Sequence, residues 1–448
     1  MKKRTLYLPI GTKCRELLGK ALLAAKAVER DWRVVIGSLD IREEFLEDSA
    51  PGLLIENNIP DDKAERFCRL KARGYVIANL SEESALYYDG EEYWTHRIGR
   101  RALESTEVIF TVGVRSEEDI RTYRPVAAER VMLTGNPRFD TLLPGVRTVY
   151  DASAEAIRRR HGRFLLVNSN FGRANPCRVG LDVVAVWRKE GKLTTPEQVD
   201  RMRREIAYKT RQMIDLQSLL AEVARTGTFD RIVVRPHPTE NHDAWRAWGA
   251  AANVAVEYEG SAIPWLLAAE MMLHAGCTTA IEALLLDRPA VSFVPLPDSE
   301  FVTHADAISV NVASAQELLA VAEGWEREDG EWRRTHLAKG RATMRPYIDN
   351  VEPPLAADRL LDAAERLGVP ETEPTRRPVE RVPGKPDADG PASRRGAGGR
   401  ALGQFRRQLF PDLRPEDVRA PVAHWVEAGV VGRMPEILRM GDSVLQLH

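Results

Sequence analysis

Five short stretches of the 448-residue chain combine residue types that hold anions or move protons. In "IVVRPHPTENHD" (232–243), three β-branched residues run straight into Arg235, Pro236, His237 and Pro238. The prolines fix the backbone on both sides of His237, and a ring held this way can donate to a phosphate or a pyrimidine carbonyl. A histidine that caps the turn or packs on Trp245 has the same flanks, so the loop alone leaves both readings open. His242 lacks such flanks and reads as a surface residue.

"MMLHAGCTTAIEALLLDRPAVSFVP" (271–295) reads as a strand, a glycine, two hydroxyl residues and a helix start. The free amides and positive end of that helix make an anion site, to which Thr278 and Thr279 add donors. Glu282, about one turn further in, can accept from a ribose hydroxyl pair. An ordinary N-cap at Thr278, with Glu282 near the favoured acidic position, is a compatible reading. "VNSNFGRANP" (167–176) places Asn168, Ser169, Asn170 and Gly172 at a strand-to-loop transition that can approach a phosphate or sugar closely. An Asx-turn accounts for the same residues.

"NLSEESALYY" (79–88) offers Glu82 and Glu83, of which adjacency lets only one face a ligand. A carboxylate there can take a proton from an acceptor hydroxyl as general base, although acids near a helix start also complement its dipole. "GTKCRELLGKALLA" (11–24) supplies Lys13 and Arg15 for an anionic group, or simply a solvated helix start.

These residues sit where expected strands end. "TLYLPI" (5–10), "RVVIGS" (33–38), "GYVIANL" (74–80), "EVIFTVG" (107–113) and "RVMLTG" (130–135) read as strands, with helical patterns at 15–30, 61–73, 93–105 and 116–123. After the Gly- and Pro-marked connection "TGNPRFDTLLPG" (134–145), a second series follows. Its strands are "RFLLVNS" (163–169), "RIVVRPH" (231–237), "VAVEYE" (254–259), "MMLHAG" (271–276) and "AVSFVPL" (290–296), with helices at 196–226 and 278–287. Alternation of strand and helix implies parallel sheets covered on both faces. The expected fold is therefore α/β, with two Rossmann-like domains facing a cleft. We place an acceptor domain at 1–140, a nucleotide-sugar domain at 146–354 and a closing helix at 355–368. Residues 369–400 hold no aromatic and are rich in Pro, Gly and Arg, which predicts a disordered linker. Residues 401–448 turn apolar again and read as a helical extension of two or three short helices.

Composition narrows the function classes. Hydrophobic residues at 44% and charged residues at 29% fit a soluble globular protein. A formal net charge of −2 gives no basic field for nucleic acid. No run approaches the ~18 apolar residues needed to span a bilayer. Cys14, Cys68, Cys177 and Cys277 lie far apart with no CxxC spacing, which suggests neither zinc nor disulfides. The expected location is the cytoplasm. The 401–448 extension either docks peripherally on the plasma membrane or a synthase partner, or ties back to the core.

In combination, these stretches resemble the two-domain GT-B glycosyltransferases of bacterial surface carbohydrate assembly, the "surface carbohydrate biosynthesis protein" group. More distantly they are similar to capsule Kdo transferases, polysialyltransferases and CDP-glycerol glycerophosphotransferases. Four elements carry the likeness over roughly residues 5–367: "LPIGTKCRELLGKALLAAKAVERDWRVVIGS", "LTGNPRFD" as the inter-domain link, "RPHPTE" and "GCTTAIEALLLDRPAVSF". The resemblance implies that His237, Thr278 and Thr279 hold donor phosphate and Glu282 the ribose. Arg235, Cys277, Asn168 and Asn170 complete the expected nucleotide site, and Glu82, Glu83 and His237 form the expected catalytic set. Lys13 and Arg15 remain acceptor or anion contacts. The relatives' acidic pair is followed by Gly, whereas Ser84 follows Glu82 and Glu83 here, so the identity of the base stays open. The implied reaction is transfer of a CMP-activated ulosonic acid, such as Kdo or a sialic-like sugar, from its nucleotide donor to a surface polysaccharide, glycolipid or glycoprotein. It needs no metal and no separate cofactor. A sugar-nucleotide epimerase of the same fold and a non-catalytic assembly partner are the alternatives.

Overall fold

The computed structural model describes residues 1–38, 44–85, 87, 90–189, 191–296, 300–326, 330–374, 410, 412–441 and 443–448. The chain forms two compact units, one of Met1–Val149 with Arg345–His448 and one of Tyr150–Met344.

The first unit opens with β1 (Lys3–Ile10), β2 (Arg33–Ser38), β3 (Leu53–Glu56), β4 (Val76–Leu80), β5 (Val108–Thr111) and β6 (Val131–Leu133). All are parallel, in the order β2-β1-β3-β4-β5-β6. Their near-continuous apolar runs are buried because helices cover both faces. The chain moves outward from β1 to β2, then returns to β3 on the other side, so the strand order reverses between β1 and β3. The helix Lys13–Glu29 follows β1 directly. Its Gly19 lies so close to the 136–140 turn that a Cβ would sit 2.7 Å from backbone atoms of Arg138.

The second unit contains β7 (Phe164–Asn168), β8 (Arg231–Arg235), β9 (Ala255–Val256), β10 (Met271–His274), β11 (Ala290–Phe293) and β12 (Val310–Val312). These too are parallel, in the order β12-β11-β10-β7-β8-β9. The reversal here falls between β7 and β10, and ligands of open α/β sheets bind outside the strand carboxyl ends at such a point. The helix Pro196–Thr226 starts where its signals say. Thr195 and Gln198 form a capping box, Pro196 takes the first turn and Gly227 ends the helix at φ 70°.

The chain then rejoins the first unit at Arg345, so residues 345–354, expected in the second domain, pack with the first. The "GNPRFD" segment is the anchor for this return. Asp140 accepts the amides of Ala356 and Ala357, both at 2.9 Å, at the start of the helix Ala356–Ala364. Asn350 donates to Asp140 at 2.8 Å and to the Asn136 carbonyl at 3.0 Å.

Two expectations for the C-terminal region need correction. The disordered linker was expected from 369, but β13 (Glu371–Thr372) pairs antiparallel with the start of β1. Its carbonyl at Thr372 also receives Arg33 at 3.3 Å. Residues 375–400 lie outside the described residues. Among the described residues the extension holds one helix, Pro415–Glu427, followed by a hairpin of β14 (Ile437–Gly441) and β15 (Val444–Leu447), where only helices were expected; residues 401–409 lie outside the described residues. β15 adds antiparallel to β2, which otherwise would leave its backbone groups on an open sheet edge. Trp425 is fully buried and donates its indole N–H to Val146 at 3.0 Å. The extension is thus tied to the core of the first unit.

Candidate functional site

In the second unit three loops leave the adjacent carboxyl ends of β8, β7 and β10, and side chains from each bind the next. Glu240 organises the first two. Its Oε1 accepts Ser169 Oγ at 2.7 Å, the Phe171 amide at 3.0 Å and the His237 amide at 3.1 Å. Its Oε2 takes the indole N–H of Trp245 at 2.6 Å. Glu240 is fully buried, and burial raises its pKa against the opposing effect of these donors. Gly172 lets the loops meet, since a Cβ there would collide with Oγ1 of Thr239. The amide of Cys177 closes the contact on the Thr239 carbonyl at 2.8 Å.

The same arrangement sets the His237 ring. The Thr239 amide donates to Nδ1 at 3.2 Å, with Thr239 Oγ1 also 2.7 Å away. Nδ1 is therefore an acceptor, and the neutral ring carries its proton on Nε2. His237 is half-buried, and Trp245 directs its indole to Glu240. His242 was expected at the surface but is half-buried: its Nε2 reaches the His237 carbonyl at 3.1 Å and its ring lies 4.5 Å from Tyr258.

The 168–170 turn reaches across the β7–β10 reversal. Asn168 Nδ2 donates to Thr279 Oγ1 at 3.0 Å, and Asn170 Nδ2 donates to the Gly276 carbonyl at 2.8 Å. Thr279 donates in turn to Cys277 Sγ at 3.2 Å. Cys277 is buried, and burial raises its thiol pKa, so it is a neutral packing group. Thr278 occupies the N-cap position of the helix Thr279–Leu285, yet its side chain makes no capping bond and it is exposed. Its hydroxyl thus remains at the mouth of the turn. Glu282 is 3% exposed. Arg235 donates to the carbonyls of Glu259 and Gly260 at 2.9 and 3.0 Å and lies over Trp265 at 4.8 Å. It braces β8 against the 259–265 segment.

Sequence reasoning missed Glu240, Lys209 and His274. In sequence Glu240 is one of two acids in the polar stretch that follows Pro238. His274 is fully buried, its Nδ1 accepting the Cys277 amide at 3.2 Å and its Nε2 lying 2.9 Å from Ser309 Oγ. Burial holds its pKa down at about 4. Lys209 comes from the long helix and reaches the Ala275 carbonyl at 3.0 Å.

In the first unit, residues at the β1–β3 reversal form a buried charged cluster. Lys20 donates to Glu16 at 2.9 Å, to the Pro9 carbonyl at 2.6 Å and to Asn57 at 3.1 Å, and lies 3.4 Å from Glu82. Burial works against Glu16 ionising, but Lys20 and Arg15 overcome it and hold the carboxyl down at about 2. Glu82 is buried and receives Asn136 Nδ2 at 3.2 Å. A cavity lined by Glu16, Lys20, Asn57, Glu82, Asn136 and Arg138 lies at this point.

Glu83 differs sharply from its neighbour. Its side chain is 47% exposed and sits between Arg15, at 3.1 Å, and Arg97. Burial alone would raise its pKa, and the two guanidiniums lower it on balance. Arg97 also stacks on Tyr93, its guanidinium carbon 4.7 Å from the ring centre. Lys13 pairs with Asp417 of the C-terminal helix at 2.7 Å.

No protein-family model and no curated protein matches this sequence. Solved structures do match the fold. A putative UDP-N-acetylglucosamine 2-epimerase from Listeria monocytogenes aligns over 81% of this chain and 96% of its own, at 12% identity and a TM-score of 0.50. The fold is GT-B. The wall teichoic acid polymerase TagF is also similar, with 12% identity over 81% of this chain and 88% of that one, at a TM-score of 0.49. So is a Methanocaldococcus jannaschii UDP-GlcNAc 2-epimerase in complex with UDP-GlcNAc and UDP, with 12% identity over 81% and 99% and a TM-score of 0.49.

Proposed function

We propose that this chain is a glycosyltransferase that binds a nucleotide-sugar donor on its second unit and uses the first for its acceptor. One observation carries the reading: beside the strand-order reversal of the second sheet, Glu240 fastens the His237 loop to the 168–171 turn, and Asn168 and Asn170 fasten that turn to Thr279 and Gly276. In that arrangement His237 Nε2–H, the Thr278 hydroxyl and the helix start at Thr279 donate to the phosphate that departs with the nucleotide. Glu282 takes the ribose hydroxyls. Arg235 and Cys277 serve this site from behind, by bracing β8 and packing the turn.

For the acceptor, the geometry favours Glu83 over Glu82. Glu82 is buried against Lys20 and Asn136, whereas Glu83 is half open. A carboxylate held ionised by two guanidiniums is a modest base, so Glu83 orients the acceptor hydroxyl and receives its proton late in the transfer. Arg15 attracts an anionic acceptor, and Lys13 is left to fasten the C-terminal helix. The finer proposal, a CMP-activated ulosonic acid transferred to a surface polysaccharide, glycolipid or glycoprotein, rests on the likeness of "RPHPTE" and "GCTTAIEA" to the Kdo and sialyl enzymes. Among the described residues no helix is long and apolar enough to cross a membrane. Incubation with CMP- and UDP-sugars, with and without acceptor glycans, tests the proposal. Transfer or slow donor hydrolysis lost in His237→Ala supports it. Interconversion of the nucleotide sugar without transfer assigns the chain to epimerase chemistry instead.

A further inference from the structure

Among the described residues two lysines, Lys20 and Lys209, are buried, and they are treated differently. Lys20, 5% exposed, faces Glu16 at 2.9 Å and Glu82 at 3.4 Å, and its pKa is raised once these carboxylates outweigh burial. Lys209, 4% exposed, has only neutral oxygens for hydrogen-bond partners: Gln212 Oε1 and the Ala275 carbonyl, both at 3.0 Å. Among the described residues no carboxylate forms an ion pair with it. Asp306 and Glu205 act on it from further away, but Asp306 is bonded to Ser292 and the Thr303 amide, and Glu205 is paired with Arg173. Of the other titratable groups near it, burial keeps the His274 ring and the Cys277 thiol neutral, and Arg173 is itself a cation. Burial accordingly lowers the Lys209 pKa. An ammonium buried without a direct counter-charge costs stability, so its place invites a functional reason.

That place is the back of the β10 turn. A Cβ built on Gly276 would lie 3.3 Å from Lys209 Nζ, and Gly276 itself adopts φ 71°, a conformation suited to glycine. Gly276 adds no side chain of its own between the ammonium and the turn that Asn170 and Thr279 hold in place; Thr303, whose methyl would lie 3.0 Å from the same Cβ, is the other side chain at this point. Gln212, which steadies the ammonium, is itself fixed by donating to the Phe293 carbonyl at 2.7 Å.

We propose that Lys209 is a cation of the donor site, whose missing counter-charge is the phosphate or diphosphate of the bound nucleotide. The inference rests on the nucleotide-sugar reading of the second unit and adds a residue from the Pro196–Thr226 helix to it. Ligand charge, rather than base or sugar, is what Lys209 recognises.

The test compares wild type with Lys209→Met, which keeps side-chain length and removes charge, by calorimetric titration with UDP, CDP, CMP, inorganic pyrophosphate and the nucleosides uridine and cytidine. The expected result is a loss of tenfold or more in affinity for the phosphate-bearing ligands, unchanged nucleoside binding, and a thermal midpoint no lower than wild type. Nucleotide and pyrophosphate binding that Lys209→Met retains would overturn the role of Lys209 while leaving the nucleotide-sugar reading in place. Pyrophosphate binding that depends on Lys209, without any response to nucleotides, supports an anion site and removes the nucleotide reading. No response of the wild type to any of these ligands overturns both. Should Lys209→Met fail to fold, the amine signal of Lys209 in isotope-labelled wild type gives the same decision. The proposal requires that signal to move on pyrophosphate addition, and an unmoved signal contradicts it.

Discussion

The Thr239 amide donates to Nδ1 of His237 at 3.2 Å, and this bond between residues two apart decides what the histidine can do. With Nδ1 accepting, Nε2 is the donor, which suits an anionic ligand. His237→Ala should therefore lower turnover of the nucleotide-sugar donor by about 10²–10³-fold, the usual cost of removing one preorganised donor, with the fold intact by circular dichroism. Thr239→Val removes Oγ1 but leaves the amide, so its loss should stay well below that of His237→Ala.

Glu240 binds four donors from three segments, and its loss should be felt in both stability and activity. Glu240→Ala strands the buried indole of Trp245 and the amides of Phe171 and His237. Each unsatisfied group costs about 1–3 kcal/mol, so denaturant unfolding should show a loss of several kcal/mol. Glu240→Gln keeps an acceptor oxygen and should recover much of the stability, while still displacing the His237 ring and raising KM for the donor.

The adjacent glutamates should separate cleanly. Glu82→Gln removes the longer of the two buried pairings of Lys20, which Glu16 still holds at 2.9 Å, and should destabilise the protein by about 1–3 kcal/mol. Glu83→Gln removes a half-exposed carboxylate and should leave the thermal midpoint nearly unchanged. It should cut transfer to the acceptor by about 10²-fold or more if Glu83 is the base, while donor binding stays as in wild type.

The pH response of stability follows from the direction of each shift. His274 is held at about 4, below its ordinary 6.5, so it favours the folded state when neutral. That contribution is present above pH 6.5 and is lost as pH falls toward 4. Glu16, held at about 2 instead of 4.5, contributes above pH 4.5 and loses its contribution as pH falls toward 2. Unfolding curves of His274→Gln and Glu16→Gln should therefore converge on wild type in these two successive windows, the first between pH 6.5 and 4 and the second between pH 4.5 and 2. A constant offset across pH would contradict the assignment.

The C-terminal extension should behave as core. Trp425→Ala should cost about 3–5 kcal/mol, as large aromatic truncations in cores do, and deletion of 410–448 should expose the β2 edge and promote aggregation.

Much of this architecture is legible in the sequence because buried parallel strands announce themselves as apolar runs, and the helix Pro196–Thr226 carries its own start and stop signals. What escaped depends on partners distant in the chain. β15 is a strand because β2 offers it an open edge, and nothing local in "VLQL" says so. β3 is four residues long and follows Pro51 and Gly52, and its short apolar run is not among the expected strands. The helix expected at 93–105 is two, Gly90–Arg97 and Arg100–Leu103, because Asp61 caps the Arg101 and Ala102 amides. The motifs placed His237, Asn168 and Thr279 correctly at strand ends, but not the residues that support them. Lys209 lies on a helix rich in charge, where one buried lysine has no distinguishing spacing, and Arg235 sits in the motif yet serves the fold.

The central claim is that the strand-end cluster around His237 holds a nucleotide phosphate. Its most direct measurement is the thermal midpoint of wild type and His237→Ala across a concentration series of CMP, CDP and UDP. The expected result is a concentration-dependent rise for at least one nucleotide in wild type, strongly reduced in a folded His237→Ala. No rise with any nucleotide, or an equal rise in both proteins, would contradict it.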